Sequence, residues 1–211
     1  MLEKIGKPGF LHWSTPDHIV LKYLKLIKQN IENPVYYEIG IGVGATVLEV
    51  AKELDNSGSI VLFSRLVEVA GVSQDLKNLG YNNVDDRWGS SHHTFSGYHF
   101  ELARAVMSGS ISKFDLAYLD GSHMMHLDAG TAAILKEHCN INGYIIFDDY
   151  TWSLKHTAAL LNSMPATSIE YDTRQIEANH VEMICKVIMN TDKRFEFLGV
   201  QDDSAVYRRV E

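Results

Sequence analysis

Short apolar runs alternate with segments of helical periodicity along most of this 211-residue chain. Such alternation is typical of a parallel sheet that is covered by helices on both faces, because each helix returns the chain to the same edge of the sheet. Near the end of the sequence two apolar runs are separated by only three polar residues, which predicts a terminal antiparallel pair. We therefore expect an α/β fold with a mostly parallel central sheet. The predicted strands are 35–39, 59–63, 83–88, 114–119, 144–147, 195–200 and 204–210.

The predicted helices lie between these strands. Ser14, Thr15 and Pro16 are typical of a helix start, with a hydroxyl cap and a proline in the first turn, and we expect this helix to reach Asn30. A chain of this length with 45% hydrophobic and 22% charged residues suits one domain around one core. Within it we distinguish an N-terminal segment, 1–33, from a core over 34–211. Further helices are predicted at 64–79, 45–54, 95–107, 126–138 and 152–162, and weaker helical spacing recurs over 176–187.

Composition disfavours several classes of partner. The net charge is −8 and no run of Lys or Arg exceeds two residues, so we expect no nucleic acid partner. No apolar run approaches the roughly 20 residues that span a bilayer, and the first ten residues lack the apolar core of a signal peptide. Cys139 and Cys185 have no metal-binding spacing and are expected to be reduced, buried thiols. These features predict a cytoplasmic protein with no membrane partner.

A glycine-rich loop follows the first predicted strand and opens a helix. Gly40, Gly42 and Gly44 alternate with apolar residues, and Glu38 precedes them. Glycine lets the backbone turn sharply and approach a ligand, and the free amides at a helix start favour electron-rich ligand atoms. A dinucleotide fingerprint would place its third glycine one position later. The pattern favours a nucleotide-type ligand loop over an ordinary strand-to-helix turn.

Carboxylates follow two further apolar strands. Asp120 ends one strand, with His123 three residues later, and Asp148 and Asp149 end another. If the two strands are neighbours, their ends lie about 5 Å apart. Carboxylates that close raise one another's pKa unless a cation joins them, and oxygen ligands suit Mg²⁺, Ca²⁺ or Mn²⁺. The alternatives are a helix cap at Asp149 or Thr151, and a loop histidine without a role.

These motifs together resemble a known family. The loop EIGIGVGAT, the strand end LDGSH, the later Asp128 and the strand end NGYIIFDDYTW resemble the small class I S-adenosylmethionine-dependent methyltransferases. The sequence is similar to the metal-dependent O-methyltransferases that modify sugars of macrolide and aminocoumarin antibiotics, and more distantly to catechol O-methyltransferase. The resemblance covers roughly residues 35–155. It implies a Rossmann-like fold with a seven-stranded sheet, S-adenosylmethionine as cofactor, and a divalent metal such as Mg²⁺.

The resemblance also implies roles for individual residues. His123 matches the general base, Asp120 is expected to act beside it, and the metal would be held by Asp120, Asp148 and Asp149. The family usually has an acid at the end of its second strand, whereas here none occurs before Glu68. Hydroxyl groups are therefore expected to replace two carboxylates of the family. The implied cofactor-binding residues are Glu38, Gly40, Ile41, Gly42, Gly44, Thr46, Ser64, Ser90, Ser91 and Asp120.

The leading hypothesis is methyl transfer to a hydroxyl of a sugar or other small metabolite. The altered strand ends leave open a non-catalytic adenosyl-binding or scaffold protein. The glycine spacing disfavours a nicotinamide-dependent oxidoreductase, and the strand end Asp-Gly-Ser-His disfavours nucleic acid methylation. Aromatic residues at Phe10, His12 and Trp13 are interpreted either as a lid over the acceptor or as simple packing, with packing preferred. A homodimer is left open.

Overall fold

The computed structural model describes residues 1–91, 97–157 and 171–211. Its centre is an eight-stranded sheet with the order β3-β2-β1-β5-β6-β8-β7, in which β4 pairs with the end of β2. Strands β1, β2, β3, β5 and β6 pair in parallel, and β8 is antiparallel to both β6 and β7. The strands are β1 Val35–Ile39, β2 Ser59–Arg65, β3 Val84–Asp85, β4 Gly89–Ser90, β5 Phe114–Leu119, β6 Cys139–Phe147, β7 Phe195–Gln201 and β8 Ser204–Arg209.

Helices cover both faces of the sheet. One apolar core contains buried residues of α1, α2 and α3, and the other contains buried residues of α4, α5 and the C-terminal helical segment. The fold is therefore an α/β/α sandwich, as the alternation of strands and helices predicts. The helices are α1 His18–Lys28, α2 Ala45–Leu54, α3 Leu66–Asn78, α4 Tyr98–Ser108, α5 Met125–His138, and the short C-terminal helices Thr173–Glu177 and His180–Ile184.

The strand register aligns the ends of the central strands. Ile39 pairs with Phe63 on one side and with Leu119 on the other, and Leu119 pairs with Phe147. The next residue of each strand continues the ladder: the amides of Gly40, Asp120 and Asp148 donate to the carbonyls of Phe63, Ile39 and Leu119 at 2.8, 2.9 and 3.1 Å. The candidate site residues therefore lie side by side at the carboxyl edge of the sheet, where ligands bind in open α/β folds.

Several predicted boundaries are confirmed, and others need correction. Strands β1 and β5 and helix α2 begin and end where the sequence predicts. The predicted strand 83–88 is instead two short strands, because Asp85 accepts hydrogen bonds from Arg87 and from Trp88 Nε1 (3.2 Å), which turns the backbone. Within the described residues, the predicted seven-stranded path β3-β2-β1-β5-β6-β8-β7 is thus present, and the short β4 adds an eighth strand beside β2. β6 begins at Cys139, directly after α5, so the predicted break over 140–143 is absent.

The helix predictions also change in detail. Helix α1 is capped by Asp17, whose carboxylate accepts from the Val20 amide at 2.8 Å, and not by a hydroxyl. The predicted helix 152–162 begins as a 3₁₀ turn over Leu154–Thr157, and its later residues lie outside the described part of the chain, as do Phe95 and Ser96 before α4. The helical spacing over 176–187 is divided between the two short helices and a π-helical turn, Cys185–Met189.

Two expectations about composition can be compared with the structure. Cys139 and Cys185 are both buried and form no disulfide with each other, as predicted. Burial raises the pKa of each thiol to about 12. No helix within residues 1–91, 97–157 and 171–211 is long and apolar enough to cross a membrane.

Candidate functional site

The loop after β1 is pressed against the loop after β5. Gly40 has a φ of +83°, and a Cβ atom at this position would lie 1.8 Å from the carbonyl oxygen of Asp120. No side chain fits there, and residues other than glycine rarely adopt this backbone conformation. Gly40 therefore allows the two loops that carry the candidate cofactor and metal residues to meet.

The other two glycines of the loop differ in their surroundings. Gly42 has a φ of +48° and lies beside Trp13, and a Cβ atom there would be in ordinary van der Waals contact, 3.7 Å from Cβ of Trp13. Gly44 precedes helix α2, and a Cβ there would lie 2.9 Å from side-chain atoms of Leu2 and Val72. Gly44 lines neither of the cavities described below, so the structure does not bring it to the predicted place beneath the cofactor. The absence of a side chain at Gly44 allows α2 to pack against α3.

Two adjoining cavities open at this edge of the sheet. The β2 cavity has a volume of about 140 Å³ and the aspartate cavity about 520 Å³. The β2 cavity is lined by Gly40, Ser64, Arg65, Glu68, Ser90, Gly97, Tyr98 and Gly121. The aspartate cavity is lined by His12, Thr15, Pro16, Asp17, His18, Glu38, Ala45, Thr46, Tyr118, Asp148, Asp149 and Asp202. Both are also lined by Trp13, Ile41, Gly42, Asp120 and His123.

The β2 cavity is lined by Glu68, the first acid that follows the second strand in the sequence. Helix α3 begins at Leu66, immediately after β2, so its first turn brings Glu68 back to the strand end. Glu68 is buried, its Oε2 accepts from Ser64 Oγ at 2.5 Å, and its Oε1 accepts from Arg65 Nε at 2.9 Å. A hydroxyl and a carboxylate are therefore both present beside this strand end, and the carboxylate belongs to the first turn of α3. The four-residue spacing from Ser64 is the signal that could have identified it.

Ser90, the last residue of β4, and Ser91, which directly follows it, have different positions. Ser90 is buried and lines the β2 cavity. Gly97 packs directly on it, since a Cβ at Gly97 would lie 1.7 Å from Ser90 Oγ. Ser91 is exposed and lines neither cavity, so the structure does not bring it to the predicted cofactor site.

A buried hydrogen-bond network holds the loop after β5. The Tyr98 hydroxyl donates to Asp128 Oδ1 at 2.5 Å and accepts from the Ser122 amide at 2.9 Å. The Asp128 carboxylate also accepts from the backbone of His123. Burial raises the pKa of Asp128, and the hydrogen bonds from Tyr98 and His123 oppose that rise. Asp128, part of the resemblance, therefore positions the loop, and Tyr98 is a site residue that the sequence analysis missed.

His123 lies between two of the predicted metal ligands. Its Nε2 atom is 3.6 Å from Asp120 Oδ1 and 3.5 Å from Asp149 Oδ2, and its ring lies 5.5 Å from that of Trp152. Only 14% of its side chain is exposed. Burial lowers the pKa of His123 below its usual 6.5, against the opposing effect of Asp128 and Asp148. The imidazole is therefore biased toward the neutral form, which can accept a proton.

Besides burial, the carboxyl groups of the site raise one another's pKa. Burial, followed by the charges of Asp148, Glu38 and Asp149, raises the pKa of Asp120 well above its usual value, although 40% of its side chain faces the cavity. Burial and then Asp149 raise the pKa of Asp148, and burial and then Asp203 raise that of Asp149. A cation among these groups would relieve both the repulsion and the desolvation.

The three aspartates share the aspartate cavity, but their side chains point to different partners. Asp148 Oδ1 accepts from Ser204 Oγ at 3.1 Å, whereas Asp120 and Asp149 face His123. In the described part of the chain, no three His, Cys, Asp or Glu side chains are grouped so that they could hold a metal ion as they stand. The all-oxygen donor set fits Mg²⁺ chemically, whereas its arrangement is not that of a preformed cage.

Glu38 and Thr46 lie deeper in the aspartate cavity. Glu38 is buried and accepts a hydrogen bond from the Tyr36 hydroxyl at 2.5 Å. Burial raises the pKa of Glu38 to about 8, although the hydrogen bond opposes this. Thr46 Oγ1 accepts from the Asp17 amide at 3.0 Å, which fixes the start of α1 beside the glycine loop.

The N-terminal segment forms one wall of the site. A 3₁₀ helix, Pro8–Trp13, ends at Trp13, which lines both cavities with 50% of its surface exposed. The rings of His12 and Phe10 lie 4.2 and 6.0 Å from that of Trp13. Trp13 therefore packs against Phe10 and His12, as the preferred interpretation has it, and it also lines both cavities, which leaves the lid interpretation open.

The likeness of this chain to solved structures lies in the fold. No family model and no curated protein matches the sequence. SAH-bound methyltransferase PaMTH1 of Podospora anserina is 15% identical, over 90% of this chain and 77% of its own length, with a TM-score of 0.58. The O-methyltransferase TomG of Streptomyces achromogenes, which is involved in tomaymycin synthesis and was solved with SAM, is 13% identical over 90% of this chain and 78% of its own, with a TM-score of 0.59.

The methyltransferase MycE of the mycinamycin biosynthetic pathway, solved with Mg, SAH and mycinamycin VI, is 19% identical over 99% of this chain, with a TM-score of 0.59. This chain spans about half of MycE, 52% of its length. The sequence identities are low, so the likeness concerns the fold alone. The chain has the Rossmann-like methyltransferase fold that the resemblance predicts.

Proposed function

We propose that this protein transfers the methyl group of S-adenosylmethionine to a hydroxyl oxygen of a sugar or other small metabolite, assisted by a divalent metal ion. The observation that carries the proposal is the meeting of two cavities at the carboxyl edge of a methyltransferase fold. One cavity contains a carboxylate at the end of β2, and the other contains three aspartates and a buried histidine. A donor and an acceptor can thus be bound side by side.

The β2 cavity is the proposed place of the adenosyl group. Glu68 and Ser64 offer a carboxylate and a hydroxyl for the ribose hydroxyls, and Ser90 lines the same cavity. Glu38 and the amides of the glycine loop would hold the amino-acid end of the cofactor. The presence of Glu68 weakens the case for a decayed, non-catalytic site, because that case depends on the missing acid.

The aspartate cavity is the proposed place of the acceptor, and it also receives the amino-acid end of the cofactor at Glu38. Its volume of about 520 Å³ falls in the range of small-molecule sites. His123 would accept the hydroxyl proton, and the acceptor oxygen would use its lone pair to form a bond to the methyl carbon. The bond from sulfur to that carbon would break and its electron pair would stay on sulfur, so the positively charged sulfonium would become a neutral thioether. The contribution of the protein is positioning and charge stabilisation.

Asp120, Asp148 and Asp149 would hold the metal ion. A bound divalent cation lowers the pKa of a nearby hydroxyl and orients it. The donor chemistry and the raised pKa values of the three carboxyls support this assignment. Mg in the MycE structure supports it for a protein of the same fold.

The cofactor part of the proposal is tested by thermal shift with a panel of ligands. S-Adenosylmethionine and S-adenosylhomocysteine are each expected to raise the melting temperature, because a ligand that binds only the folded state stabilises it. NAD and NADP, at the same concentrations, are expected to leave it unchanged. A shift with NAD and none with either adenosyl ligand would instead indicate a nicotinamide enzyme.

The metal part is tested separately by titration with Mn²⁺, followed by electron paramagnetic resonance. We expect the wild type to bind the ion and Asp148→Asn to lose most of that affinity. Asp55→Asn is the matched control, because Asp55 lies at the end of α2 and lines neither cavity. Equal Mn²⁺ binding by all three proteins would exclude the aspartate cavity as the metal site and leave the cofactor assignment standing.

A further inference from the structure

Five residues line both cavities, and they mark the path of the transferred methyl group. They are Trp13, Ile41, Gly42, Asp120 and His123. If the donor lies in the β2 cavity and the acceptor in the aspartate cavity, the methyl group crosses between the two at these residues. The sulfur atom that carries it must then lie within their reach. Asp120 and His123 already have proposed roles in the reaction, whereas no role toward the donor has yet been assigned to Trp13.

The position of Trp13 is fixed by its own segment. Ser14 Oγ donates to the Phe10 carbonyl at 2.6 Å and accepts from the Gly6 amide at 2.9 Å, which ties the turn together. The side chain of Trp13 lies over Gly42, since a Cβ on that glycine would be 3.7 and 3.8 Å from its Cβ and Cγ atoms. Half of the side-chain surface is exposed. An aromatic side chain is thus held at the junction of the two cavities, with free surface toward them.

The charge at this junction changes during the proposed reaction. The sulfonium of S-adenosylmethionine carries a positive charge, and S-adenosylhomocysteine has a neutral sulfur. The face of an indole ring attracts cations, more strongly than the ring of tyrosine or phenylalanine. Asp120 presents a carboxyl group at the same junction.

We propose that Trp13 determines the specificity of the site for the charged methyl donor over the neutral product. The inference rests on the proposed function, and it assigns to the N-terminal 3₁₀ helix a role toward the donor in addition to that of a lid. Because the attraction disappears with the charge, Trp13 also favours release of the product after transfer.

The test compares the affinities of the two ligands by calorimetry for wild type, Trp13→Leu, Trp13→Phe and Leu11→Ala. Leu11 is the control, because it lies in the same 3₁₀ helix, is 57% exposed and lines neither cavity. In Trp13→Leu, we expect the affinity for S-adenosylmethionine to fall about 2- to 30-fold more than that for S-adenosylhomocysteine. Trp13→Phe should keep part of this preference, and Leu11→Ala should keep all of it.

Retained binding of S-adenosylhomocysteine by Trp13→Leu shows that the variant is folded. An equal loss for both ligands, or no loss for either, would overturn the role of Trp13 and leave the proposed function intact. If the wild type binds neither ligand, the proposed function fails and this inference fails with it.

Discussion

Replacing Gly40 by alanine should destabilise the protein through the contact between the loops after β1 and β5. The new Cβ atom would lie 1.8 Å from the Asp120 carbonyl oxygen and 2.6 Å from its carbon, at a φ of +83°. The left-handed backbone costs an L residue about 1–2 kcal/mol. Relief of a steric overlap in a packed region typically costs about 1–3 kcal/mol more. We therefore expect a loss of about 2–5 kcal/mol in the free energy of unfolding.

Variants of two other glycines separate the cost of the left-handed backbone from the cost of the steric overlap. Gly80 has a φ of +97°, and nothing lies within 4 Å of the position that a Cβ atom would take there, so Gly80→Ala should show only the backbone cost of about 1–2 kcal/mol. Gly9 has neither a positive φ nor a neighbour within 4 Å, and Gly9→Ala should change stability by less than about 0.5 kcal/mol.

The assay is urea unfolding followed by circular dichroism, with linear extrapolation to water. The account requires the order Gly40→Ala, then Gly80→Ala, then Gly9→Ala, from the largest loss to the smallest. Equal losses for Gly40→Ala and Gly80→Ala would mean that the two loops do not touch, and the joint placement of the glycine loop and Asp120 would then be refuted.

Three further predictions concern buried polar groups. Glu68→Gln removes the charge at the end of β2 and should weaken S-adenosylhomocysteine binding about tenfold in calorimetry; unchanged affinity would exclude Glu68 from the cofactor site. Glu38 has a pKa raised to about 8 by burial, so the folded state holds its proton more tightly than the unfolded chain. Protonated Glu38 stabilises the fold fully below the ordinary pKa of a glutamate, and this stabilisation is lost as the pH rises toward 8. Glu38→Gln should therefore be more stable than the wild type at pH 9 but not at pH 4. The measurement is thermal unfolding in the presence of chelator. A lower stability of Glu38→Gln than of the wild type at pH 9 would contradict the burial of the Glu38 carboxyl group. Tyr98→Phe leaves the buried Asp128 without one donor and should cost about 1–3 kcal/mol in urea unfolding; an unchanged midpoint would show that the network does not hold the loop.

The sequence predicts the fold and the three principal elements of the site for a physical reason. Parallel strands bring their carboxyl ends to one edge, so residues that directly follow a strand become neighbours whatever their separation in the chain. Gly40, Asp120 and Asp148 are such residues, and the register of β1, β5 and β6 brings them together. The sequence could therefore place them without knowledge of any side-chain contact.

The remaining features depend on side-chain direction and on contacts between distant segments. Glu68 reaches the β2 cavity because its side chain turns back from the first turn of α3 to Ser64 and Arg65, a side-chain direction that periodicity does not define. Tyr98 reaches Asp128 from another helix, and Trp13 reaches Gly42 from the N-terminal segment. Ser91 shows the converse, because it is adjacent to the buried Ser90 but is itself exposed. Only the tertiary packing decides these cases.

The central claim is that the cavities beside the glycine loop bind the adenosyl cofactor. It is tested most directly by calorimetric titration of S-adenosylhomocysteine into the wild type and into Gly42→Val, each with Mg²⁺ and with chelator. Gly42 lines both cavities beside Trp13 at a φ of +48°, so a valine there should intrude on ligand space and also strain the loop, and circular dichroism is used to check that Gly42→Val is folded. The account predicts micromolar binding by the wild type and a loss of at least about tenfold in Gly42→Val. No binding by the folded wild type under either condition, or equal binding by the two proteins, would contradict it.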